Sequence, residues 1–119
     1  ASGGDAGAKT IAGVAFAGRV LDGVPARDLR GMADGLKQQV GSGVVVIASA
    51  DQGKASLVVG VTEDLTDRLS AVELVRVGAA TLGGAGGGGR PDMAQAGGPD
   101  GDATAAAIAA IEQALAASE

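Results

Sequence analysis

A run of small residues, Gly83, Gly84, Ala85, Gly86, Gly87, Gly88 and Gly89, ends at Arg90 and is the segment of this chain best suited to chemistry. Successive glycines leave backbone N–H groups unshielded by a Cβ, and a concave loop of such amides holds an anion. Arg90 adds a planar guanidinium that matches two oxygens of a phosphate. Read from its residues, the run followed by Arg90 is a candidate phosphate-binding loop. The plainer alternative is a connection that tolerates any small residue. Gly84, Gly86 and Gly89 also satisfy the bare pattern G-x-G-x-x-G. A dinucleotide fingerprint needs a strand before that pattern and a helix opening after it. A helical pattern precedes it here, and Pro91 and Asp92 follow, so the context for a nicotinamide or flavin site is missing.

Two further clusters carry charge. Arg27, Arg30 and Lys37 fall together on one flank of a helical stripe, which makes them a secondary basic patch. Asp28 and Asp34 are interleaved with them, and a solvated face that keeps the domain soluble explains the same pattern. Glu63, Asp64 and Asp67 form an acidic group, but a polar turn holding a helix N-terminus accounts for them more simply than a metal does. No metal ligand set and no catalytic residue is assigned.

Missing residue types narrow the field. The chain of 119 residues has 22 Gly, no Cys, no His, no Trp and no Tyr, and Phe16 is its one aromatic. Disulfides and Cys/His metal sites are therefore impossible, and nucleophilic machinery that relies on histidine cannot be assembled. Recognition of RNA by stacking bases on aromatic platforms is also excluded. The net charge is −5, yet through Pro91 nine basic and nine acidic residues balance. The excess belongs to Asp92, Asp100, Asp102, Glu112 and Glu119, so an acidic total does not preclude a local basic patch. The apolar run 44–48 is far short of the roughly 20 residues of a membrane span. With no signal-like N-terminus either, a cytoplasmic protein is expected. Ala1 is not a natural start, as expected for a fragment or processed product.

The elements that must position these groups follow from periodicity. One domain is expected, because a second core would have too little chain. Residues 1–9 read as a flexible N-terminal remnant and 10–119 as the domain. The run 11–17 predicts a strand buried on both faces. Asp22, Gly23 and Pro25 predict a turn, and Leu29, Met32, Ala33, Leu36 and Val40 predict an amphipathic helix over 26–40. Strands over 44–48 and 57–61, joined through Asp51, Gln52 and Gly53, predict an antiparallel hairpin. A second helix over 71–82 is expected with Ser70 as its cap. The glycine run reads as a loop, followed by a short strand over 93–96. Asp102 or Thr104 is expected to cap a last helix carrying Ile108, Ile111 and Leu115. The order β-α-β-β-α-loop-β-α implies an α/β fold: a mixed β-sheet with helices packed on it.

Three segments carry a family resemblance. LKQQVGSGVVVIAS (36–49), GKASLVVGVT (53–62) and above all GGGGRPDMAQAGG (86–98) resemble, in order and spacing, the C-terminal globular domain of bacterial alanyl-tRNA synthetases, a member of the DHHA1 superfamily. The resemblance covers about 10–116. It implies a DHHA1-like fold and a non-catalytic tRNA-binding module. In the family this module touches the outer corner of alanine tRNA, where the D and T loops meet, and so helps one tRNA serve aminoacylation and editing. It implies as partners tRNA and the remaining synthetase domains. It implies no cofactor here, with ATP, magnesium and an editing-domain zinc in the parent enzyme. Carried over by residue, the contacts are Gly86, Gly87, Gly88, Gly89 and Arg90, with Gln95 and Gly97 as weaker candidates. Asp92 is expected to orient Arg90 rather than to touch RNA.

Two other readings stay beside this one. Phosphoesterases of the DHH type use a related domain to grip substrate phosphates, but their glycine run is typically followed by His, where this chain has Arg90. A homodimerisation module using the Ile108, Ile111 and Leu115 face is the third.

Overall fold

A computed structural model of the chain describes residues 9–11, 13–84 and 87–117. The strands are β1 (Lys9–Ile11), β2 (Val14–Asp22), β3 (Gly43–Asp51), β4 (Lys54–Val61), β5 (Gly87–Arg90) and β6 (Met93–Gly98). The helices are α1 (Ala26–Val40), α2 (Ala71–Thr81) and α3 (Thr104–Ala117). All six strands join one sheet in the order β1-β2-β3-β4-β6-β5. Only β2 and β3 pair in parallel, because α1 carries the chain between them; every other pair is antiparallel. The sheet is mixed and carries helices on both faces, as the α/β reading requires.

Alternation along the strands divides the core into two layers. Val45, Ile47, Val58 and Met93 face α1 and bury its Leu29, Ala33 and Leu36. Val44, Val46, Leu57, Val59 and Ala94 face α2 and α3 and pack on Leu74, Val75, Ile108, Ile111 and Leu115. Covered on both sides, β3 reads as a continuous apolar run. Gln52 and Gly53 both have positive φ, 56° and 81°, which is the two-residue hairpin turn that Asp51-Gln52-Gly53 announces. Buried Ser49 fixes the approach to α1: its hydroxyl accepts from Val24 N at 3.1 Å and donates to Val24 O at 2.9 Å.

Several expectations are corrected. The strand over 11–17 is two strands, β1 and β2, paired antiparallel. Ser70 makes no side-chain cap bond; the first amide of α2, Ala71 N, donates instead to Pro91 O at 2.8 Å. Asp100 caps a 3-10 turn, Gly101–Ala103, that leads into α3, accepting from Asp102 N at 3.1 Å. Ile108, Ile111 and Leu115 are 7%, 0% and 1% exposed, so that stripe is core and offers no dimerisation face. The glycine run is not a loop throughout: Gly87, Gly88 and Gly89 form β5.

Candidate functional site

β5 and β6 make a hairpin whose turn is Pro91-Asp92, in the register Gly87↔Ala96, Gly88↔Gln95, Gly89↔Ala94 and Arg90↔Met93. The cradle of loop amides expected from sequence is thereby replaced by an edge strand. Glycine has no side chain to pack, so β5 is held by its ladder to β6 rather than by burial. Gly89 shows why no other residue serves: its φ is 149°, and a Cβ there would run into Met93 O and come within 2.7 Å of Ala94 Cα. An edge strand satisfies its main-chain groups on one side only. Among the described residues β6 is the one strand that pairs with β5, so alternate N–H and C=O groups of β5 face outward. Gly86 lies outside the described residues.

The register puts Arg90 and Gly88 on the same face as Met93 and Gln95, the face covered by α1. There the structure unites two groups that sequence kept apart. Arg30, Gly88, Gly89, Arg90 and Gln95 line one open recess of about 370 Å³, with Met93 and Ala94 completing it. The charged residues lining it are Arg30 and Arg90, and no acidic residue lines it. Arg90 keeps 71% of its side chain exposed. Gln95 donates through Nε2 to Ala26 O at 3.3 Å, which ties β6 to the first turn of α1.

The other candidates go elsewhere. Arg27 is exposed on α1 and does not line the recess. Gly97 pairs with Ser56 and also lies outside it, while Gly87, opposite Ala96, belongs to the other face. Lys37 is 13% exposed and not part of a solvated flank: its Nζ donates to Asp92 O at 3.1 Å and lies 3.9 Å from Asp92 Oδ2. Asp92 Oδ1 is 3.7 Å from Arg90 Nε. The link from Lys37 to Asp92 spans 55 positions, and no local spacing announces it.

Glu63 and Asp64 open a 3-10 turn, Glu63–Leu65. Asp64 accepts from the Ser42 hydroxyl, and that bond, with a second from Thr62, holds its carboxyl below the usual carboxylate range. Among the described residues no three acidic side chains are grouped so as to hold a metal ion, and no helix is long and apolar enough to cross a membrane.

The model of the DHHA1 domain matches residues 13–117. The chain belongs to the DHHA1 domain family. This DHHA1 domain is 62% identical over 117 residues to an alanine–tRNA ligase of Paramagnetospirillum magneticum, covering 97% of the chain and 13% of that protein. It is 60% identical over 114 residues to the alanine–tRNA ligase of Rhizobium meliloti, covering 95% of the chain and again 13% of the relative. The chain thus spans about an eighth of the ligases it matches. Among solved structures, the C-Ala domain of Aquifex aeolicus alanyl-tRNA synthetase superposes with a TM-score of 0.85 at 33% identity, over 92% of this chain and 97% of that one. The DHHA1 domain is therefore of the C-Ala type, with the six-stranded mixed sheet and three helices that the resemblance implies.

Proposed function

We propose that this DHHA1 domain is the non-catalytic tRNA-binding module of an alanine–tRNA ligase. It holds the outer corner of alanine tRNA through the sugar-phosphate backbone, so that one tRNA serves both aminoacylation and editing. The observation that carries the proposal is the recess between α1 and β5, where Arg30 and Arg90 flank the glycine main chain of Gly88 and Gly89 with no acid on the lining. Glycine lets a phosphate reach the strand's main chain, and outward amides supply donors beside two guanidiniums. The site has no aromatic platform, which suits recognition by shape and backbone rather than by base stacking. ATP, magnesium and the editing zinc belong to parts of the ligase outside this chain. The remaining ligase domains supply the avidity that a module of balanced charge lacks.

Arg90→Ala is expected to weaken binding of an alanine-tRNA transcript about tenfold, the worth of one charge-assisted contact. The slope of log K against log salt should fall by about 0.7–0.9 for each phosphate released. Titrations over a salt series measure both. Unchanged affinity and slope in a folded variant would remove Arg90 from the interface.

A further inference from the structure

We infer that Lys37 is a positioning residue that keeps Arg90 from being drawn onto Asp92 and so holds it aimed outward for RNA, an inference that rests on the tRNA-binding reading. Lys37 sits in the last turn of α1 and crosses β4 over Gly60. A Cβ on Gly60 would lie 2.7 Å from Lys37 Cδ and 3.2 Å from Cγ, so the missing side chain is the trough that admits the lysine stem. At the end of that trough the ammonium meets the main-chain oxygen of Asp92, and the Asp92 carboxylate lies between Lys37 and Arg90.

The exposures separate the two cations. Lys37 is 13% exposed and the recess it lines also holds Asp34, Glu63, Asp64 and Asp92, acids that disfavour a phosphate there, whereas Arg90 is 71% exposed. The turn they share is also fixed by its main chain: Val61 N donates to Asp92 O at 2.9 Å and Ala71 N to Pro91 O at 2.8 Å. Asp92 is thus a carboxylate on a rigid turn, and Lys37 offsets its charge from the protein side. Without the ammonium, Asp92 would have Arg90 as its sole counter-ion. The guanidinium would then be drawn toward the turn and partly neutralised at the surface where RNA must meet it.

Lys37→Met tests this, because it keeps the apolar stem over Gly60 and removes only the charge. With Arg90 present, it is expected to weaken binding of the alanine-tRNA transcript about 5- to 10-fold, and with Arg90→Ala less than about twofold. Equal losses in both backgrounds would mean that Lys37 acts on its own and would overturn the inference. So would no loss in Lys37→Met when Arg90→Ala does weaken binding. Lys37→Gln can keep the hydrogen bond to Asp92 O but not the charge; it should behave like Lys37→Met, and wild-type binding by it would contradict charge sharing. A second readout needs no RNA: hydrogen exchange at Arg90 Nε–H in the free protein is expected to change in Lys37→Met, and unchanged exchange would overturn the positioning role. Failure of Arg90→Ala to affect binding would strike the tRNA reading instead, leaving the exchange measurement to decide about Lys37.

Discussion

Phe16→Ala is expected to destabilise the domain by about 3–5 kcal/mol, the cost of emptying a large aromatic site in a packed core. Phe16 is 1% exposed on β2, and no other aromatic side chain exists in the chain to fill the space. The ring is accommodated by Gly18, two residues along the same strand face: a Cβ there would lie 3.3 Å from Phe16 Cε1 and 3.0 Å from Ile108 Cγ2. β2 and α3 therefore close over each other through one ring and one missing side chain. A domain of this size has about 5–15 kcal/mol in all, so the variant loses a large share of it. Thermal unfolding should move down by roughly 10–25 °C. A shift of only a few degrees would mean that α3 does not depend on this ring for its seat.

Gly89→Ala is expected to cost about 2 kcal/mol or more locally, through a φ that L-residues avoid and a clash with the partner strand. The clash is with main-chain atoms of Met93 and Ala94, which have no rotamer to escape into. β5 is an edge strand, so it can peel away without opening the core. Amide exchange should therefore quicken in β5 and in the facing residues of β6 while global unfolding changes little. Binding of alanine tRNA should fall at least as far as in Arg90→Ala, because the strand that presents Arg90 is displaced. Gly88 is the contrast on the same strand: nothing lies within 4 Å of a Cβ there. Gly88→Ala should leave exchange unchanged and weaken binding alone. Equal exchange in Gly89→Ala and wild type would show that β5 is not held in the register described.

Residues that act through side-chain periodicity were legible. The apolar stripe of Leu29, Ala33 and Leu36 located α1, and the observed helix is the expected 26–40. The β-branched runs around Gln52-Gly53 located the β3–β4 hairpin. β5 was not legible as a strand, because three of its four residues have no side chain and so show no alternation. A signal existed in the equal arms, Gly87–Arg90 and Met93–Ala96, on either side of Pro91-Asp92. Ser70 is a sound cap by residue type and sits at the N-cap position, but its side chain makes no cap bond, and the helix start is tied down through Ala71 N to Pro91 O of another hairpin, which no local spacing announces. Arg30 and Lys37 were placed correctly on one flank of α1. Their separate fates, one beside the glycine strand and the other under Asp92, depend on how the helix lies on the sheet. No rule of local spacing contains that information.

On the proposed function, RNA meets this domain at the β5 edge beside α1. The most direct test is titration of alanine tRNA into the isotopically labelled chain, following backbone amides and arginine side chains by NMR. The largest changes are expected at Gly88, Gly89, Arg90, Gln95 and Arg30, with little change at Arg68 and Arg76 on the other side of the sheet. Changes centred on Arg68 and Arg76, with β5 silent at saturating tRNA, would contradict it.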